Sequence, residues 1–264
     1  MKKFELVIFE SNRTDGNMSR NEKFYPKDYS ETKRRTILNG VKDRIGKKYG
    51  FNGKHIFQPK QKDVSPTKDY PDGKYIKISE ENLKHNDFWD EDLICDIVMI
   101  DTNYPNIVIG HIQGDCPVLI AEDRKNQVVA TAHCGAKQIN RGVPKYLIES
   151  LYKEINSKPE DIYIYVGSCI KKESYIYDCY PNWATNKNLW QDCITQQGNN
   201  YYIDLNKAIR KELLAEKIDI THIVESKIDT YTSPDYYSHT EEVRDKCTNN
   251  GQNYVGCFYR EKEE

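Results

Sequence analysis

Short β-branched runs separated by polar turns dominate the middle of the chain. Ile94 to Ile100, Asn106 to Ile112, Pro117 to Ala121 and Gln127 to Ala132 each have the length and residue types of a strand. Phe4 to Phe9 predicts an earlier strand, followed by a polar loop from Asn12 to Asn17. Ile37, Val41 and Ile45 recur every four residues, which predicts a helix from Ser30 to about Lys48 with those side chains on one face. The same spacing of Val143, Leu147, Leu151 and Ile155 predicts a helix from Arg141 to Ile155, and Asp161 to Val166 reads as the next strand. Asp204 has the character of an N-cap for a helix carrying Leu205, Ile209 and Leu213. His222 to Lys227 and Tyr254 to Tyr259 read as late strands. Residues 171–200, rich in Tyr, Asn, Gln and Trp, predict a long loop with one short helix.

Helices and strands are interspersed, and the tight hairpin at 117–132 requires antiparallel pairing. The expectation is therefore an α+β fold with mixed, largely antiparallel sheets flanked by helices. No repeat, linker or compositional break divides the 264 residues, so a single domain over 1–264 is expected. Lys and Arg (39) nearly balance Asp and Glu (41), which argues against a nucleic-acid or anionic-membrane partner. No apolar run is long enough to span a bilayer and no secretory signal is recognisable, so the expected location is the cytoplasm.

The eight cysteines form no C-x-x-C pair, which excludes zinc ribbons, iron–sulfur clusters and thioredoxin-like motifs and suggests reduced thiols. Glycine-rich phosphate loops are absent, so neither a nicotinamide nor a flavin cofactor is expected. The run Lys33-Arg34-Arg35 reads as a wet helix face, and His239, Asp229 and Asp235 as solvated loop residues.

The chemistry concentrates in Gly114-Asp115-Cys116-Pro117 and Thr131-Ala132-His133-Cys134-Gly135. A turn centred between Arg124 and Lys125 would pair Asp123 with Asn126, Val118 with Thr131 and Cys116 with His133. Directly opposed residues bring their Cβ atoms about 4.5–5.5 Å apart, so a thiol and an imidazole would meet at the open end of the ribbon. Such a pair suits zinc ligation, which needs at least three protein groups in a catalytic site, or activation of the thiol by the imidazole. A buried Cys beside a hydrogen-bonded strand-end His would serve the core alone, and a one-residue slip would separate the two.

At these residues the chain resembles the YfiH-like family, also called the multicopper polyphenol oxidase (laccase) domain family. Asp115-Cys116-Pro117 and His133-Cys134-Gly135 match its Asp-Cys-x-Pro and His-x-Gly elements. Val166-Gly167-Ser168-Cys169-Ile170 with Tyr175 is similar to its Gly-Pro-Ser-Ile-Gly loop, and Asn12-Arg13-Thr14-Asp15-Gly16 to its N-terminal Arg/Gly loop. The resemblance implies activity on purine nucleosides, by phosphorolysis or adenosine deamination, with Cys116, His133 and Asp115 as catalytic candidates. It also implies a small-molecule nucleoside or nucleotide partner bordered by Arg13, Gln58, Lys60, Gly135, Lys137, Cys169 and His239.

Several positions depart from the family pattern. Gln58-Pro59-Lys60 stands where the family has Gln-x-His, and a protonated Lys has no lone pair for zinc. A zinc triad on Cys116 and His133 would lack that ligand unless His55 or His111 replaced it. Ala136-Lys137-Gln138 follows His133 in place of Trp-Arg-Gly. Tyr237-Ser238-His239-Thr240 occupies the Ser-Tyr-Arg-Arg site, and Asn250-Gly251-Gln252 the Thr-Gly-Arg site, so arginine forks suited to phosphate are missing. Six scattered His are too few for a multicopper centre, which argues against copper oxidation. Two readings follow: a divergent purine-nucleoside-processing enzyme, in which Lys60 or Lys137 stabilises developing charge, or an inactive member that binds, sequesters or senses a nucleoside or nucleotide. For the second reading the Tyr-rich segment 175–202 would add stacking surfaces for a base, the alternative being an aromatic loop packed on the core.

Overall fold

The structure, a computed structural model, describes residues 2–57, 59, 75–84, 95–246 and 250–262. The chain opens with β1 (Phe4–Glu10), α1 (Glu31–Tyr49), β2 (Ile56–Phe57), β3 (Tyr75–Lys77), α2 (Glu80–Lys84), β4 (Ile97–Asp101) and β5 (Val108–Gln113). Next come the hairpin β6 (Val118–Asp123) and β7 (Val128–His133), then α3 (Ala136–Asn140), α4 (Val143–Ile155) and β8 (Ile162–Val166). β9 (Ile176–Tyr177), α5 (Lys187–Trp190), β10 (Ile194–Gln197) and β11 (Asn200–Ile203) follow. The chain closes with α6 (Leu205–Ala215), β12 (Ile223–Glu225), α7 (His239–Asp245) and β13 (Asn253–Glu261).

Among the described residues these strands form sheets ordered β1-β13-β5-β2, β12-β8-β6-β7-β4-β3 and β10-β11-β9. Only the pairs β2–β5, β3–β4 and β8–β12 are parallel, so the fold is α+β with largely antiparallel sheets. Two sheets pack face to face, with Ile109, Val255 and Cys257 of one against Val118, Ile120 and Val129 of the other. The outer face of the first sheet carries α1 through Phe9, Leu38, Val41, Ile45 and Phe258. The outer face of the second carries α4 and α6 through Leu119, Ala130, Leu147, Leu151, Ile209 and Leu213. Central strands are therefore buried on both faces, which explains why they read as unbroken apolar runs rather than as alternating ones.

Several local expectations hold. Asp204 accepts a hydrogen bond from the Lys207 amide at 2.8 Å and caps α6, whose Leu205, Ile209 and Leu213 are buried. Others need correction. The buried stripe of α1 runs through Leu38, Val41 and Ile45, while Ile37 is exposed, because a three-then-four spacing follows the helical period better than a strict four. The helix expected from Arg141 begins at Val143, since Gly142 takes a left-handed φ of 85° and separates it from α3. Residues 171–200 hold the one short helix expected, α5, but the rest is not simply loop: β9, β10 and the first residue of β11 lie there, and their sheet packs Tyr175, Tyr177 and Tyr201 against the helical face of the core. No helix among the described residues is long and apolar enough to cross a membrane.

The hairpin register also differs from expectation. Val118, rather than Cys116, lies opposite His133, and Asp123 pairs with Val128. The buried Asp123 carboxylate accepts from the Asn126 amide and side chain, both at 2.8 Å, and Gln127 turns through φ 53°. Those bonds pull Asn126 and Gln127 out of the ladder and make a four-residue turn. The shift of two residues preserves the face of every side chain, because strand side chains alternate with period two.

Candidate functional site

Cys116 lies just before β6 and His133 at the end of β7, both on the side facing the neighbouring sheet. Gly135 replaces His133 as the residue across from the thiol. A Cβ built on Gly135 would fall 3.0 Å from Cys116 Sγ and 3.5 Å from His133 Cε1, so the bare glycine is what lets thiol and imidazole converge. The ladder continues past the strand ends through the Cys134 amide, which donates to Pro117 O at 2.8 Å. Both side chains line a cavity of about 620 Å³. Phe24, Tyr175 and Tyr177 supply aromatic wall, and Gln113, Thr240 and Gln252 polar wall.

Asp115 is buried, with φ at 117°, an unusual left-handed conformation for a non-glycine residue. Its Oδ1 accepts from the Thr230 hydroxyl at 2.7 Å and its Oδ2 from the Thr240 amide at 2.7 Å. Its amide donates to Gln113 Oε1 at 2.9 Å, and its carbonyl accepts from the Ile170 amide at 3.0 Å. Burial raises the carboxyl pKa against those stabilising hydrogen bonds. Asp115 thus ties the Cys116 turn to three other segments of the site.

Burial, the Asp115 charge and Cys169 push the Cys116 thiol up to about 12, so it stays protonated at neutral pH. His111 on β5 has its ring centroid 6.5 Å from that of His133, and Thr131 Oγ1 lies 3.3 Å from its Nε2. Complete burial and the neighbouring His133 lower its pKa to about 3, which keeps it neutral. His55 is not among the residues lining the cavity.

The remaining expected site residues are dispersed. His239 lines the cavity at the start of α7, and its amide donates to Gly114 O at 2.9 Å. Arg13 reaches α7 from outside, with its guanidinium on Glu241 and Nε on Tyr236 O at 2.8 Å. Cys169 is buried outside the cavity wall, where its Sγ lies 3.2 Å from Asn206 Oδ1 and 3.3 Å from Lys171 Nζ. Lys137 is exposed on α3 and not among the lining residues. Gln58 and Lys60 lie outside the described residues. The wall also includes Asn21, Lys23, Phe24 and Glu242 to Arg244, none of them marked by a sequence motif. They belong to short polar segments that tertiary contacts carry to the cavity.

Zinc or copper would need donors beyond Cys116 and His133, and among the described residues no group of three His, Cys, Asp or Glu is placed to hold an ion. The described donor set does not fit a catalytic metal.

No curated protein sequence matches the chain significantly. Solved structures do. The hypothetical protein YfiH of Bacillus licheniformis superposes with a TM-score of 0.72 at 14% identity, covering 96% of this chain and 92% of that one. YlmD of Geobacillus stearothermophilus gives 0.76 at 18% identity, with 97% and 92% coverage. Neisseria meningitidis protein NMB0706 gives 0.65 at 14% identity, with 97% and 94% coverage. These likenesses establish a shared fold. The family model described as multi-copper polyphenol oxidoreductase laccase matches residues 82–253, more than half of the chain and inclusive of both halves of the Cys116–His133 pair, so the protein belongs to that YfiH-like family.

Proposed function

We propose that the cavity binds a purine nucleoside and processes it at the Cys116–His133 end, by deamination or phosphorolysis. The observation that carries this reading is the convergence of thiol and imidazole at Gly135 on the wall of a cavity of about 620 Å³ with three aromatic side chains. That volume suits a small organic ligand, and Phe24, Tyr175 and Tyr177 offer faces on which a base can stack.

Imidazole is the side chain suited to accept and return a proton near neutral pH, so His133 takes the proton-transfer role. Cys116, held protonated, donates a hydrogen bond rather than attacking. Asp115 serves by position, because both its carboxylate oxygens are already engaged. Of the two reactions, deamination is better supported. Thr240 and Gln252 line the cavity where the family resemblance places arginines, so inorganic phosphate bound by the family's route would meet no guanidinium from those two positions. In deamination, water adds to the purine carbon bearing the exocyclic amine. His133 accepts the water proton and returns one to the departing nitrogen, so that adenosine and water give inosine and ammonia.

A second reading, a binder that returns its ligand unaltered, is favoured by the protonated state of Cys116, which removes thiolate attack and leaves activation of water to His133. Incubation with adenosine and with inosine, with and without phosphate, followed by mass spectrometry, separates the two. Conversion lost in His133→Ala supports the enzyme. Stoichiometric recovery of intact ligand supports the binder, and neither conversion nor binding would sink both.

A further inference from the structure

The mouth of the cavity is crossed by a cluster of charges that the chemistry at Cys116 and His133 does not use. Lys23, from the N-terminal segment, reaches α7 and places Nζ 3.3 Å from both carboxylate oxygens of Glu242. His239 Nδ1 lies 3.1 Å from Glu242 Oε2. Arg244, two residues beyond Glu242 on the same helix, also lines the cavity. Its guanidinium lies over the Tyr231 ring, 5.0 Å from the centroid, and donates through Nη2 to Ser174 O at 3.3 Å and Ile176 O at 3.5 Å, which leaves Nε and Nη1 without a hydrogen bond among the described residues. Two basic side chains therefore face one carboxylate, with Arg244 on the same cavity wall, at positions still open to water: the Lys23 side chain is 44% exposed, His239 62% and Glu242 26%.

An ion pair this wet contributes little to stability, and its partners exchange readily. Glu242 occupies the place that an external anion would take, held by the donors that anion would use. The base-stacking faces of Tyr175 and Tyr177 lie in the same cavity, so a ligand seated on them has a direction in which its charged end points outward. We propose that the cavity takes a nucleoside carrying a phosphoryl group, which sits among Lys23, His239 and Arg244 and displaces Glu242. This rests on the nucleoside reading of the cavity and adds a ligand class to it. Phosphate offers more acceptor oxygens than a carboxylate and engages Arg through two parallel hydrogen bonds, so the exchange is favourable.

Calorimetric titration of the full chain with adenosine and with adenosine monophosphate tests it, with the melting transition confirming that each variant is folded. The monophosphate is expected to bind roughly tenfold more tightly than the nucleoside, and the advantage to shrink as salt rises. Lys23→Met and Arg244→Met bring the ratio of the two affinities towards one, and Glu242→Gln increases it by removing the competing carboxylate. A monophosphate no tighter than adenosine overturns the proposal and leaves the nucleoside reading standing. Binding of neither ligand by the folded protein brings down both.

Discussion

Asp115 Oδ2 accepts the backbone amide of Thr240 at 2.7 Å, joining the residue beside Cys116 to the first turn of α7 across 125 positions of chain. Together with the 2.9 Å bond from the His239 amide to Gly114 O, it seats α7 as one wall of the cavity. Asp115→Ala removes both acceptor oxygens and leaves the Thr230 hydroxyl and the Thr240 amide without that partner. A loss of roughly 1–3 kcal/mol is expected from the urea midpoint, with faster amide exchange confined to α7 and the 229–231 segment. Unchanged exchange there would show that α7 is held by other contacts.

Gly135→Ala isolates the close approach at the thiol. Its φ of −64° and ψ of 167° suit any residue, so no backbone strain enters. The added methyl meets Gln138 Oε1 at 2.7 Å and Cys116 Sγ at 3.0 Å. The glutamine end can swing away, whereas the partly buried thiol has less room. Overpacking of this kind costs about 1–3 kcal/mol, and adenosine binding should weaken along with it. Full nucleoside affinity in this variant would place the ligand away from Cys116.

Glu212 on α6 is predicted to make the protein less stable as pH rises towards neutrality. Burial, the leading cause, with Glu216 and Glu149 nearby, raises its carboxyl to about 7, and its Oε2 is buried without a hydrogen bond. Between the ordinary carboxylate range and pH 7 the folded state therefore binds more protons than the unfolded one, and stability falls through that window. Glu212→Gln should gain roughly 1–3 kcal/mol at pH 8 and nothing at pH 4. An equal gain at both pH values would point to packing rather than ionisation.

Metal content is a direct check on the donor set. With Cys116 and His133 as the converging described donors, the purified protein should carry well under one zinc per chain, and EDTA should leave its melting temperature unchanged. One zinc per chain, lost in both Cys116→Ala and His133→Ala, would require a third ligand from outside the described residues.

Much of this protein is written in local pattern. The paired strands around residues 117–132, the N-cap at Asp204 and the buried stripe of α4 follow from residue preferences and periodicity acting over a few positions, and the Asp-Cys-Pro and His-x-Gly elements mark where the chemistry lies. Even the misplaced hairpin turn kept Cys116 and His133 on one face, because an error of two residues does not change which side of a sheet a side chain occupies. What the pattern does not carry is everything set by distant contact. Lys23, Phe24, Glu242 and Arg244 have no periodic or motif signal, and reach the cavity only because β1, β13 and β5 bring both ends of the chain beside the Cys116 turn. The protonated state of Cys116 and the bracketing role of Asp115 likewise depend on burial and on partners more than a hundred residues away, and such quantities exist only once the chain has folded.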